Sequence, residues 1–353
     1  ILQTDIRDSQ PRNIWTLLRK YKMGSNKSAL PTKILDNASS DSRRWSPGKP
    51  TDDPYAWHRY RHALGHHLFR HPASPFDERA ALRIHEHMPR ILDSIRHPSS
   101  PPDPLFDDTM TSDEVSPVLK DLHPDKAPGE DGITNRMLQS GGTCFNTVLS
   151  EFLRGLWDFE VQPKTWNLSL LSPIYKGGKK KRADPSSYRG IYLCSAVSKL
   201  FEGLLLSRLT RFTERQNTLT QNQVGTRPRR QTHDTIYCLL SNIQFNQMYM
   251  KKPTYIAFLD YTTAFPSVHR ERLLQILHDT GVTGKMWTHL KARFTSVHIR
   301  VLHPGIRTSK SVEILRGLPE GSRLSPTLFG IFVADLIHTL RRKFPNSTIS
   351  RTG

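Results

Sequence analysis

Apolar positions recur along the chain in two rhythms. At helical spacing they run through Glu78 to Arg96 (Ala81, Leu82, Ile84, Met88, Ile91, Leu92, Ile95), through Phe145 to Phe159, and through Ser195 to Thr213 (Val197, Leu200, Phe201, Leu204, Leu205, Leu209). Weaker stripes predict helices over Tyr55–Phe69, Thr232–Met250, Ser267–Asp279, Lys285–Phe294 and Pro326–Arg342, with a short amphipathic stretch at Ile14–Tyr21. Thr111-Ser112-Asp113-Glu114 reads as a helix start running to Leu122: a hydroxyl cap is followed by acidic residues in the first turn. Compact apolar runs of strand length are Leu168–Tyr175 and Tyr255–Asp260, the second a buried-type strand that ends on a carboxylate. Val297–Leu302 and Ser311–Leu315 predict a hairpin around Pro304-Gly305.

Between these lie polar stretches with little to bury. Gly24 to Pro54, rich in Ser, Asn, Pro and Lys, reads as a linker, and the prolines of Pro98–Pro104 end whatever precedes them. The chain thus divides into an N-terminal region over 1–104, with short helices and linker, and a new unit from about Leu105. Mixed strands and helices without repeats give an α+β expectation.

Charge sharpens this picture. Lys and Arg number 51 against 32 Asp and Glu, a net charge of +19, which draws a chain toward polyanions by counterion release. On charge alone the expected partner is nucleic acid or an anionic membrane surface. No apolar run approaches the roughly 20 residues that span a bilayer, and no signal-type segment opens the chain, so no membrane role is expected. Three cysteines without metal-ligand spacing fit a reducing compartment and an intracellular location, nucleus or cytoplasm.

Several residues have the chemistry of a nucleotide site. Asp260, at the end of its predicted strand, suits a hard divalent cation that keeps water and phosphate oxygens as its other ligands. Ala264-Phe265 puts a small residue and then a ring just beyond it, either a floor for a sugar or part of the core. The Gly317-Leu-Pro-Glu320-Gly321-Ser322 loop has two glycines before a helix start, allowing close backbone approach. Lys176 ends one strand and Arg189 follows thirteen residues later, an ammonium and a guanidinium that suit a triphosphate. Lys179, Lys180, Lys181 and Arg182 form either a solvated run or a phosphate-backbone contact, and Arg227, Arg229 and Arg230 offer the same choice. His58, His62, His66, His67 and His71 include three i,i+4 pairs, but no carboxylate or cysteine interleaves them and a surface helix is the simpler reading.

Taken in order, Lys126-Ala-Pro-Gly-Glu-Asp-Gly-Ile133, Pro173-Ile-Tyr-Lys176 with Ser187-Tyr-Arg189, Gln223-Val-Gly225-Thr-Arg227, Asp260-Tyr-Thr-Thr-Ala-Phe265-Pro-Ser-Val268 and Gly317-Leu-Pro-Glu-Gly-Ser322-Arg-Leu-Ser-Pro-Thr-Leu-Phe329 resemble the motifs of reverse transcriptases from non-LTR (LINE-type) retrotransposons. The resemblance covers about residues 105–342. It implies a right-hand polymerase with fingers over 105–250 and a partial palm over 251–353, the thumb absent. It implies an RNA-directed DNA polymerase acting on an RNA template, a DNA primer and dNTPs with Mg²⁺ or Mn²⁺. Asp260 would be the catalytic metal ligand, Phe265 the steric gate under the deoxyribose, and Lys176 and Arg189 the triphosphate ligands. Ala264, Glu320 and Gly321 would lie along the nucleotide. The sequence departs from the family at Glu320, usually Gln, and at Pro266, often Asp. It contains no Tyr-x-Asp-Asp turn, the family's source of further metal-binding carboxylates, so the expectation is a chain inactive by itself. The alternative is a non-enzymatic nucleic-acid-binding remnant of a decayed element.

Overall fold

The computed structural model describes residues 34–35, 50–51, 78–99, 101–178, 187–219, 221, 223–225, 227, 230–258, 260–261, 264–302 and 311–344. The stretches Ile14–Tyr21 and Tyr55–Phe69, the histidine cluster from His58 to His71, Lys179 to Arg182, Arg229 and the Pro304-Gly305 turn lie outside the described residues.

Strand β3 (Leu168–Tyr175) forms where the apolar run predicts it, and it is the centre of the main sheet. With β4 (Tyr188–Leu193), β5 (His298–Val301) and β6 (Val312–Glu313) it makes a four-stranded sheet in the order β4-β3-β5-β6. β3 pairs antiparallel with β4, from Leu170 opposite Leu193 to Tyr175 opposite Tyr188. Its other side pairs parallel with β5, from Leu168 opposite His298 to Leu171 opposite Val301. Beyond the strand ends Lys176 N–H donates to Ser187 O at 2.8 Å, so even-numbered β3 residues bond toward β4 and odd-numbered ones face β5. Pro173 is odd-numbered and lies past the last β5 pairing, so its missing N–H breaks no ladder bond. The expected hairpin appears as β5 and β6, antiparallel with His298 opposite Glu313. A separate two-residue pair, β1 (Ile34–Leu35) with β2 (Pro50–Thr51), is antiparallel.

The other described elements are mostly helices. They are α1 (Glu78–Arg96), α2 (Pro104–Asp107), α3 (Ser112–Asp121), α4 (Asn135–Gln139) and α5 (Gly142–Asp158), followed by a 3-10 turn at Lys164–Asn167. After β4 come α6 (Ala196–Arg215), α7 (Thr232–Phe245) with a π turn at Asn246–Met250, a 3-10 turn at Phe265–Ser267, α8 (Arg270–Asp279), α9 (Gly284–Phe294) and α10 (Ser325–Lys343). Helix α6 is buried on nearly all sides, as its dense apolar sequence requires: Leu200, Phe201, Leu204, Leu205 and Leu209 are fully enclosed. Around it one apolar cluster joins Met88 and Ile91 of α1, Leu153 and Trp157 of α5, Leu273 and Leu277 of α8, Trp287 and Leu290 of α9, and Leu328 and Phe329 of α10. The same core therefore serves residues on both sides of position 250. The mixed α+β class expected from the sequence is what the chain adopts.

One expectation is corrected. Residues 251–258 form no strand, and Tyr255 and Phe258 are 91% and 83% exposed. The sequence has strand propensity there, but a strand exists only beside a partner. Of the main sheet's two edges, β4 is already met by the loop before α10, through Tyr192 N–H to Glu320 O at 2.9 Å, and β6 bonds only β5 among the described strands.

Candidate nucleotide and nucleic-acid site

Three segments far apart in sequence meet at the loop Gly317–Ser322. On one side, Gly317 N–H donates to Val268 O and Leu318 N–H to Phe265 O, each at 2.9 Å, joining the loop to the turn that carries Ala264 and Phe265. Gly317 has φ +81°, and a Cβ there would lie 2.7 Å from Pro266 Cα, so glycine is required both by conformation and by space. On the other side Glu320 O accepts from Tyr192 N–H. Gly321, at φ +144°, passes so close to β4 that a Cβ would meet Tyr192 O at 2.4 Å. The loop is thus bonded between the Phe265 turn and the strand that carries Arg189.

Arg270, at the start of α8, clamps the approach to this loop. Its guanidinium is buried and donates to Gly317 O at 2.9 Å, Ile314 O at 2.6 Å, Arg316 O at 3.1 Å and Phe294 O at 3.3 Å. Burial pushes its pKa down to about 10, which leaves it a cation at neutral pH. Below the loop, the carboxylate of Glu202 on α6 accepts from Ser322 Oγ at 2.8 Å and Arg323 N–H at 2.9 Å, while its other oxygen pairs with Arg293.

The β3–β4 register explains how Lys176 and Arg189 come together. Ser187 lies opposite Lys176 and Arg189 opposite Ile174, so the two cations are diagonal neighbours on one face of the hairpin, and both are exposed. Phe265 is half-buried, its ring 5.3 Å from that of Phe329 on α10, and Ala264 also packs on the core. Phe265 thus has contacts of the kind a core aromatic makes, while part of it stays accessible. Asp260 is exposed, with Oδ1 accepting from Tyr261 N–H at 2.9 Å. Tyr261 sets its ring edge-on to Phe329 at 5.6 Å, which ties Asp260 to the α10 side of the same region.

The remaining basic candidates behave differently from one another. Arg227 is buried and bonds Glu214 through two nitrogens at 2.8 and 2.6 Å, holding that carboxyl below its usual range. Its guanidinium secures the turn after α6 and is not an open phosphate ligand. Arg230 is exposed, with one bond to Gln221 Oε1 at 2.7 Å. Gln223, from the same motif, is buried and donates to Gly330 O at 3.2 Å, tying that turn to α10.

Other motif residues serve close packing. A Cβ on Gly129 would lie 2.6 Å from Ser195 N, so the Lys126–Ile133 loop rests directly on the β4–α6 junction, and its Glu130 pairs with Arg300 of β5. Sequence reasoning missed Glu202, Arg293 and Arg270. The one available signal was Glu202 itself, an acid set among Leu200, Phe201, Leu204 and Leu205 in the apolar part of its helix.

For a divalent cation the fit is one carboxylate deep. Asp260 offers oxygens at the surface, and among the described residues no three carboxylate, imidazole or thiol groups converge. One carboxylate with phosphate and water oxygens is a donor set that Mg²⁺ accepts. No helix among the described residues is long and apolar enough to cross a membrane.

Residues 177–351 match the family described as reverse transcriptase (RNA-dependent DNA polymerase). The chain is 27% identical over 254 residues to the probable RNA-directed DNA polymerase from transposon BS of Drosophila melanogaster, covering 71% of this chain and 27% of that protein. It is 28% identical over 227 residues to the RNA-directed DNA polymerase from mobile element jockey of the same species, covering 64% and 24%. To the retrovirus-related Pol polyprotein from type-1 retrotransposable element R2 of Popillia japonica it is 27% identical over 237 residues, covering 66% and 31%. The chain spans about a quarter to a third of the length of these relatives.

Proposed function

The chain carries a reverse transcriptase domain of the kind found in non-LTR retrotransposons, and from that premise we propose that it forms the substrate-holding part of an RNA-directed DNA polymerase, its fingers over 105–250 and part of its palm over 251–353. The observation that carries the reading is the meeting of the Phe265 turn, the Gly317–Ser322 loop and the β4 edge in one bonded unit. Two of these belong to the family motifs and the third is the strand that carries Arg189 of another, and the contacts among them are made by backbone groups.

In this reading Lys176 and Arg189 bind the triphosphate of an incoming dNTP as a point charge and a fork approaching from one face. The ring of Phe265 lies beneath the deoxyribose, and the backbone of Glu320 and Gly321 lines the base. Asp260 would be one ligand of a Mg²⁺ or Mn²⁺ ion, which when bound would supply charge neutralisation for the triphosphate. Glu320 puts a carboxylate near that polyanion where the family usually has an amide, which favours nucleotides that arrive with their metal. Lys179 to Arg182, Arg229 and Arg230 contribute to the positive field along the template–primer duplex.

The test is binding and extension by the full chain. Affinity for an oligo(dT)-primed poly(rA) template is expected to fall roughly a hundredfold between about 50 and 200 mM salt, the slope for about four neutralised phosphates. Salt-independent binding overturns the electrostatic reading. Incorporation of dTTP that requires Mg²⁺ and is abolished by Asp260→Asn supports catalysis. Tight binding without incorporation supports the non-enzymatic binding role instead.

A further inference from the structure

We propose that Glu202 is a positioning residue for the Gly317–Ser322 loop, fixing where the loop presents Glu320 and Gly321 to the nucleotide. The proposal rests on the reading of that loop given under Proposed function.

Glu202 lies in the middle of α6 and is 1% exposed, yet both its oxygens are engaged. Oε1 pairs with Arg293, and Oε2 accepts from Ser322 Oγ at 2.8 Å and from Arg323 N–H at 2.9 Å. Arg293 is itself buried and donates to Trp166 O at 2.8 Å and Asn167 Oδ1 at 3.1 Å, in the turn that leads into β3. Ser322 Oγ in turn accepts from Leu324 N–H at 3.2 Å, just before α10 begins. One carboxylate therefore ties α6, α9, the root of the sheet, the loop and the start of α10 to a common point.

Chemistry explains why an acid stands there. Burying an ion pair costs desolvation that packed apolar side chains avoid, so such a pair adds little stability and its geometric demand is what distinguishes it. Here the demand falls on the loop. An apolar residue at 202 would leave the Ser322 hydroxyl and the Arg323 amide without their shared acceptor, and would remove the group that ties the loop's C-terminal end to α6, leaving the Tyr192 contact, the Arg323–Asp121 pair and the bond from Ser325 Oγ to Pro319 O. The carboxylate touches neither substrate nor metal in this arrangement. It acts through the loop.

Three full-length variants test this: Glu202→Gln, which loses the charge but nearly keeps the shape; Ser322→Ala, which leaves the buried pair intact; and the double variant. Amide hydrogen exchange at Arg323 and Leu324 is expected to quicken at least about tenfold in Glu202→Gln, the scale of one lost charge-assisted bond, while β3 and β4 stay protected. Binding of a fluorescent dTTP analogue with Mg²⁺ on primed poly(rA) is expected to weaken by about tenfold, with affinity for the primed template alone unchanged within about twofold. Ser322→Ala should give a smaller loss in the same direction, and the double variant should be no worse than Glu202→Gln, because the two groups act through one contact. Unchanged exchange in a folded Glu202→Gln, or equal weakening of nucleotide and template, overturns the proposal. A wild-type chain that captures no nucleotide overturns the reading of the loop and this proposal with it. The exchange data then separate that failure from a loop that Glu202 does not hold.

Discussion

The region around α6 and the stretch from α7 to Asp260 treat polar and apolar groups in opposite ways. Around α6, charged side chains are enclosed and bonded: Arg208 forks onto Glu114 with both bonds at 2.8 Å and also reaches Asp108 O, and Glu202 and Arg293 share a buried pair. From Thr232 to Asp260 none of the described residues is buried, and Tyr237, Tyr249, Tyr255 and Phe258 are presented outward. One region spends its polar groups on fixing geometry, whereas the other keeps aromatic and acidic groups accessible. Candidate residues occur in both, so motif membership alone does not tell which side chains are available to a ligand: Arg227 is spent on Glu214, while Arg189 and Asp260 are open.

The contrast would break first at Arg208. Arg208→Ala leaves Glu114 unpaired and removes a cation 4.9 Å above the Trp157 ring, and is expected to cost about 3 kcal/mol in urea unfolding. Arg230→Ala, an exposed arginine of the same charge, should change stability by less than about 0.5 kcal/mol. Similar losses at both positions would show that enclosure is not what sets the cost of losing an arginine.

A pH titration sharpens the comparison at intermediate scale. His289 is fully buried, stacked on Trp157 at 5.1 Å, and burial drives its pKa down to about 4; His269 at the head of α8 is shifted to the same value by the same cause. Both are neutral in the folded chain while their unfolded forms take up a proton near pH 6.5. The unfolded state therefore binds more protons between those values, and stability falls as pH drops from about 6.5 toward 4. The share of each histidine is about 2 kcal/mol by pH 5. Thermal unfolding at pH 7.5 and 5 should show His289→Asn losing about that much less than wild type on acidification. An identical loss would mean that the imidazole titrates normally in the folded chain.

The smallest effects belong to the exposed stretch. Asp260→Asn and Tyr255→Ser are expected to leave the melting temperature within about 2 °C of wild type, the shift of an exposed substitution in a domain this size. A larger drop in either would place that residue in the packed body.

Much of this organisation was legible in the sequence. β3, α6, α8, α9 and α10 formed within a few residues of where their apolar patterns predicted, because each has packing partners for its apolar positions. β4 was not foreseen, since Arg189 and Gly190 interrupt its alternation. Its strand character comes from β3: Gly190 faces Leu171, where a Cβ would lie 2.5 Å from Leu171 Cδ1. Tyr255–Asp260 failed in the opposite sense, having the composition of a strand without a neighbour to pair with. At the site, the motifs gave the glycines and the exposed cations. Arg270 and Arg293 were invisible, and Glu202 was marked only by its apolar neighbours, because the role of a buried charge is recognisable only through partners supplied by distant segments.

The parallel pairing of Leu168 with His298 also sets an order of events during synthesis. β3 and β4 are close enough in sequence to fold back on each other as soon as they leave the ribosome. The far side of β3 must then wait while α6 through α9 are made, because the residues that cover it come last. Contacts of such long sequence separation close slowly. The nascent chain therefore exposes an open strand edge while residues 194–297 are made, and this interval is when it is most prone to associate with other chains.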